Sequence, residues 1–158
     1  MPDRQNADLS VRVWFRLIRL EARMQAAVGE RLRAIGVSIS QCDVLTTLTE
    51  QEGVSQQELA KRLYVTKGNI SGLIDRLEEA GLVERRSTAS DRRQYAIYLT
   101  KAGRQMAEKA IAVQQRWIAS TLGRMPDPDL KALETQLIAL RDIVRERETP
   151  PEASVAKG

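Results

Sequence analysis

The five prolines of this 158-residue chain stand at its ends and at one interior break: Pro2, Pro126, Pro128, Pro150 and Pro151. Between residues 3 and 125 no proline locks φ or removes a backbone donor, so long helices are permitted throughout. The apolar pattern uses that freedom. Residues 8–34 repeat Val13, Leu17, Leu20 and Met24 along one side, with Trp14 and Ile18 alongside, which predicts a long amphipathic helix ended by Gly36. Ser40 is the expected cap of a second helix, with Asp43 in its first turn and Val44, Leu45 and Leu48 as its apolar side.

Two shorter helices follow. Ser55-Gln56-Gln57-Glu58 has the spacing of a capping box. The helix it opens runs through Leu59, Ala60 and Leu63, and Tyr64-Val65-Thr66 forms a tight turn. Thr66 caps the next helix, with apolar positions Ile70, Leu73, Ile74 and Leu77 and a Schellman stop at Gly81-Leu82. The period then changes to two. Leu82–Arg86 and Gln94–Leu99 read as strands of a hairpin with a polar tip. Thr100 begins a further helix with Met106, Ala110, Val113 and Trp117 as its stripe. After the break at Met125-Pro126-Asp127-Pro128, a last helix from about Asp129 to Glu146 spaces Leu130, Leu133, Leu137, Leu140 and Val144 like a heptad seam. Long helices flanking so small a centre exceed what that core can bury, so a partner subunit is expected.

Composition closes several functions. There is no histidine and one cysteine. A structural zinc site, a Ser-His-Asp or Cys-His catalytic group and an intramolecular disulfide are all excluded. No cofactor is expected: neither a Gly-x-Gly-x-x-Gly nor a Gly-Lys-Ser/Thr loop occurs. No apolar run is long enough for a membrane span, and the polar N-terminus lacks a signal-peptide core, so a cytoplasmic location is expected.

The net charge is only +4, but it is uneven. Residues 54–105 carry ten basic and six acidic side chains, and the two flanks are balanced. A local surplus points to an anionic partner met by one region.

Helix, three-residue turn and helix make a helix-turn-helix, with Ala60 small enough for the crossing and Val65 as the turn's plug. Opposite its apolar side, the second helix shows Lys67, Gly68, Asn69, Ser71, Gly72 and Arg76. Asn pairs with adenine, and Arg with guanine or phosphate. Arg85 and Arg86 on the incoming strand, with Arg92 and Arg93 at the tip, make the hairpin a basic wing. Asp91 lies two residues before Arg93 and is placed to orient it. The expected DNA contacts are thus Ser55, Gln56, Thr66, Lys67, Asn69, Ser71, Arg76, Arg85, Arg86, Arg92 and Arg93. The expected fold is mainly α with a small β-hairpin wing. A winged helix-turn-helix domain (38–100) is flanked by an N-terminal dimerisation helix (8–34), C-terminal dimerisation helices (101–147) and a disordered tail (149–158).

The order and spacing of four stretches resemble the multiple-antibiotic-resistance repressor (MarR) family. They are Ser55-Gln56-Gln57-Glu58-Leu59-Ala60, Leu77-Glu78-Glu79-Ala80-Gly81-Leu82-Val83-Glu84-Arg85, Asp91-Arg92-Arg93 and Leu99-Thr100-Lys101-Ala102-Gly103-Arg104. The resemblance spans about residues 8–147. It implies a triangular homodimer, a pseudo-palindromic operator in double-stranded DNA, and release by a small phenolic or carboxylate ligand. By the same resemblance Arg93 matches the minor-groove arginine and Asp91 its partner, and 66–76 match the recognition helix. Gly72 departs from the pattern, standing where many members carry a larger polar or basic residue, so base preference does not carry over there.

Two other features each admit a plainer role. Arg12, Arg16, Arg19 and Arg23 form a basic stripe that is a solvated face or, for Arg16, Arg19 and Arg23 with Trp14, an effector contact. An aromatic acid or an acyl-coenzyme A thioester would suit it equally, the latter making the protein a regulator of an aromatic catabolic operon. Cys42 is either a redox sensor helped by a helix N-terminus or a small buried hydrophobe. The family's peroxide sensors carry their cysteine in the first helix, where this chain has none. Two other classes remain for comparison: a protein-docking winged helix, against which Lys67, Asn69, Ser71 and Arg76 argue, and an enzyme, for which no carboxylate pair stands out.

Overall fold

The computed structural model describes residues 4–88 and 91–148. The elements run α1 (Arg4–Arg33), α2 (Ile39–Glu50), β1 (Val54–Ser55), α3 (Gln56–Arg62), α4 (Lys67–Glu79), β2 (Val83–Thr88), β3 (Asp91–Leu99), α5 (Lys101–Thr121), a 3-10 turn (Leu122–Arg124) and α6 (Asp127–Glu148). The tail, 149–158, lies outside the described residues. Among the described residues no helix is long and apolar enough to cross a membrane.

Helix ends follow local chemistry. Gly36, with φ of +90°, stops α1 through Val37 N–H to Leu32 O at 3.1 Å and Gly36 N–H to Arg33 O at 3.0 Å, a Schellman pair. Gly81 stops α4 in the same way, with Leu82 N–H reaching Leu77 O at 2.9 Å. One cap differs from expectation. Ser38, not Ser40, opens α2, in a reciprocal box with Gln41, and no acid stands in its first turn. The box at Ser55 is half made. Its hydroxyl accepts the Glu58 N–H at 3.1 Å, while the Glu58 carboxylate takes Arg62 at 2.5 Å instead. The helix after the break starts at Asp127 rather than Asp129, because Pro126 O already accepts the N–H of Asp129 and Leu130. Pro128 in its first turn costs no internal bond.

The chain divides into two compact units, up to Trp117 and from Ile118. The first holds the core. Leu32, Val37, Leu45, Leu48, Leu59, Ile74, Leu77 and Ile97 are among its buried side chains, with Val28, Val65, Met106 and Val113 packed on its margin. Its sheet has the order β1-β3-β2, all antiparallel. Val83 pairs with Leu99 and Arg85 with Ile97, and the register slips between Ser87 and Thr88. The strand β1 was not anticipated: Val54 and Ser55 pair with Ile97 and Ala96.

The start of α5 is pressed against the end of the α4–β2 turn. Thr100 donates its hydroxyl to Gly81 O at 2.6 Å and accepts the Gly103 N–H at 3.0 Å. A Cβ on Gly103 would fall 1.8 Å from Leu82 O. Glu52 fastens the neighbouring edge, accepting Leu99 N–H at 2.9 Å and Arg104 at 2.9 Å. In the second unit, α6 leaves Leu137, Ile138, Leu140, Ile143 and Val144 exposed.

Two outcomes test this packing. Gly103→Ala is expected to lower unfolding free energy on the order of 3 kcal/mol, since the obstructing atom is backbone. A denaturant midpoint unmoved by that methyl would contradict the close approach. Arg104 holds the Glu52 carboxyl below its ordinary range, with Leu99 N–H assisting. Its stabilisation is therefore complete above the ordinary glutamate pKa and is lost as pH falls through the lower folded value. Acid titration of stability should show this loss in the wild type and lack it in Glu52→Gln.

Candidate nucleic-acid interface

The helix α4 is amphipathic in the sense the sequence indicated. Ile70, Leu73, Ile74 and Leu77 are buried, which fixes the helix's rotation. Lys67, Gly68, Asn69 and Arg76 are exposed, and Ser71 and Gly72 are half-buried. Thr66 caps the helix by accepting the Asn69 N–H at 3.3 Å. Its O–H proton remains available to a phosphate oxygen, as does that of Ser55 at the head of α3. No acid lies in the first turn of α4, whose free N–H groups favour an anion.

An open depression of about 290 Å³ runs along this face, lined by Ser40, Val65, Gly68, Asn69, Gly72, Leu73 and Arg76. Asn69 and Arg76 in its lining suit base edges, and Val65 and Leu73 suit the thymine methyl group. A Cβ at Gly68 would meet nothing within 4 Å, and one at Gly72 only Arg76 Nη1 at 3.7 Å. Internal packing therefore does not require either glycine. Gly72, inside the helix, costs it about 1 kcal/mol relative to alanine.

The turn between α3 and α4 contains a residue that the sequence reading overlooked. Tyr64 has φ of +53° and is 92% exposed. It occupies the left-handed position of a Schellman stop, with Val65 N–H to Ala60 O at 3.0 Å, where glycine is usual. The signal was a bulky residue at a predicted tight turn.

The wing arginines separate. Arg86 is exposed, lies 4.3 Å from the Tyr98 ring centre, and pairs with Glu84. Arg85 is held inside the unit. Its Nη2 meets Asp75 Oδ1 at 2.5 Å, its Nη1 meets Glu78 Oε2, and its Nε donates to Gln56 Oε1 at 2.8 Å. Its side chain is 18% exposed. Burial works against a charged guanidinium there, but the bonds to Asp75 and Glu78 outweigh it and raise the pKa. The sequence placed Arg85 among surface contacts; the structure commits its donors to two helices. Asp91, Arg92 and Arg93 have their backbone in β3, and their side chains lie outside the described residues.

The residues suggested for an effector do not converge on an enclosed site within the described chain. Trp14 is 61% exposed, and Arg16, Arg19 and Arg23 lie exposed along α1, with Arg19 5.9 Å from the Phe15 ring centre. Cys42 is fully buried, and its sulfur lies 3.8 Å from the Thr46 hydroxyl. Burial pushes its thiol up and so disfavours the reactive thiolate. The redox reading thereby loses its physical basis. Among the described residues no group of three His, Cys, Asp or Glu side chains could hold a metal ion.

A helix-turn-helix whose second helix is capped and carries no acid in its first turn, with an adjoining β-hairpin, defines a winged helix-turn-helix DNA-binding protein. The family model described as the MarR family matches residues 35–94. The transcriptional regulator PrsX of Escherichia coli is 32% identical over 119 residues, which cover 74% of this chain and 72% of the relative. The transcriptional repressor Mb2911 of Mycobacterium bovis is 30% identical over 121 residues, 77% and 87% of the two chains. Among solved structures, the MarR-family protein Rv2887 of Mycobacterium tuberculosis in complex with p-aminosalicylic acid is 28% identical. It superposes with a TM-score of 0.65, covering 80% of this chain and 95% of that one. The chain belongs to the MarR family. It is accordingly a DNA-binding transcriptional regulator and not an enzyme.

The buried thiol gives a direct test. In the folded protein at neutral pH, Cys42 should react with a soluble disulfide reagent only as fast as the chain opens, and at full speed in denaturant. Rapid stoichiometric labelling of the native protein would contradict its burial.

Proposed function

We propose that this regulator is a homodimeric repressor that a small aromatic or otherwise anionic effector releases from a pseudo-palindromic operator. The observation that carries the DNA half is the seating of α4: four buried apolar side chains turn Lys67, Asn69 and Arg76 outward. In this reading Asn69, Ser71 and Arg76 meet base edges in the major groove. Lys67, Thr66, Ser55 and the amide of Gln56 hold phosphates, and exposed Tyr64 joins them. The wing enters the adjacent minor groove through Arg93, oriented by Asp91, with Arg92 and Arg86 on the flanking backbone.

A homodimer is supported by apolar surface on both terminal helices. Val13, Phe15, Ile18 and Leu20 on α1 are exposed, as are Leu137, Leu140 and Val144 on α6. A second copy is the partner such a family member meets. Two recognition helices would then address half-sites about 34 Å apart. The small aromatic acid held by the relative Rv2887 supports an effector of that class. The exposed arginines Arg16, Arg19 and Arg23 with Trp14 supply charge and a ring face for it, and an acyl-coenzyme A thioester satisfies the same groups. Release follows if the effector binds better to a dimer whose recognition helices are wrongly spaced.

Gel shifts on the DNA upstream of the protein's own coding region test the interface. Arg93→Ala should cost about 1–3 kcal/mol of binding. If each dimer neutralises around eight phosphates, log K should fall against log salt with a slope near −7. Unchanged affinity in Arg93→Ala would remove the wing from the interface. Titration of aromatic acids and their coenzyme A thioesters into the preformed complex should release DNA. If none does, the effector half of the proposal fails.

A further inference from the structure

The four bonds made by Arg85 join parts of the interface that are distant in sequence. Asp75 and Glu78 stand three apart on one edge of α4, Gln56 opens α3, and Arg85 reaches both from β2. The backbone N–H of Arg85 also donates to Glu78 Oε1 at 3.2 Å, so both oxygens of that carboxylate are engaged by one residue. A planar guanidinium satisfies such a set of directions, and an ammonium does not.

We infer that Arg85 is a positioning residue, which clamps the wing to the recognition helix and aims the Gln56 amide without touching DNA. The inference rests on the reading of α4 and the wing as the DNA interface and deepens it. Three considerations carry it. To bind a phosphate, the guanidinium would have to leave Asp75 and Glu78. Those carboxylates are 54% and 40% exposed, and they would then stand unneutralised beside the DNA backbone. Secondly, β2 departs from α4 through only the Gly81-Leu82 turn, so a bond ten residues further on from Asp75 fixes the direction of the hairpin relative to the helix. A wing that misses its groove by an ångström or two loses the minor-groove contact while leaving the major-groove surface intact. Thirdly, Arg Nε can only donate, so the oxygen of Gln56 must face it, and the amide –NH2 takes the other direction. A hydrogen-bond donor is thereby fixed at the head of α3, where the phosphate contacts are proposed.

The test compares Arg85→Lys with Arg85→Ala in the full chain, with thermal unfolding recorded for both. Lysine keeps the charge and could still meet a phosphate, but it cannot make the fork. Amide exchange in the DNA-free protein is the first readout. It should accelerate about tenfold or more at Glu84–Arg86 in both variants, while amides of the α4 core change little. Unchanged exchange in β2 overturns the clamp. Binding is the second readout. Both variants should lose about tenfold or more in affinity for the upstream DNA, keep non-specific duplex binding within about twofold, and retain the wild-type salt slope. If Arg85→Lys binds as wild type while Arg85→Ala fails, and the slope of Arg85→Ala falls by about 0.9 per lost phosphate contact, Arg85 touches DNA and the inference is wrong. If wild type itself shows no preference for that DNA while exchange accelerates in the variants, the interface reading fails and the clamp stands.

Discussion

Everything proposed for this protein depends on how one short helix is seated. The thirteen residues of α4 are too few to be stable alone. Burial of Ile70, Leu73, Ile74 and Leu77 holds them, each side chain stabilising by about 1.5–3 kcal/mol. Because those four positions follow the helical period, their burial also sets which residues face outward. Sequence periodicity, core packing and the identity of the DNA-facing residues are thus one constraint seen at three levels. The close contact between Gly103 and the Leu82 carbonyl ties the end of that helix to the start of α5.

Electrostatics adds a division of labour to the middle of the chain. The basic surplus there is real in composition, but its members do different things. Arg62 and Arg104 are spent on Glu58 and Glu52, and Arg85 on Asp75 and Glu78. Arg86 sits against Tyr98 and Glu84, still exposed. Lys67 and Arg76 stand exposed on α4 beside the open depression. The anionic partner is thus addressed by fewer cations than the count suggests, and the others set the geometry in which those few are presented.

Much of this was legible in the sequence because it is local. The helix stops at Gly36 and Gly81 and the cap at Thr66 each depend on residues within about five positions. The alternation expected over Tyr95–Leu99 is met only in part: Ile97 and Leu99 are buried, but so is Ala96, while Tyr95 is 49% exposed. What escaped was set at longer range. The strand β1 is two residues long and exists only because β3 lies beside it. The cap at Ser38 was missed for a different reason, since its bonds with Gln41 are local and Ser40 carries the same side chain two residues on. The buried positions Cys42, Val44, Leu45 and Leu48 go with a helix that begins at Ile39, and the reciprocal bond with Gln41 favours Ser38. Arg85 read as a surface cation because its partners lie seven, ten and twenty-nine residues away. On α1 the pattern showed an apolar stripe but not its destination, since Val13, Ile18 and Leu20 find no cover within the first unit.

The central claim is that the outward face of α4 lies in the major groove, once per subunit. The most direct measurement attaches an iron chelate at Ser71→Cys in a Cys42→Ala background and maps cleavage of the bound upstream DNA. The account predicts two cleavage clusters whose centres lie about 34 Å apart along the duplex. Uniform cleavage along the duplex, or none from Ser71→Cys on DNA that the protein demonstrably binds, would contradict it.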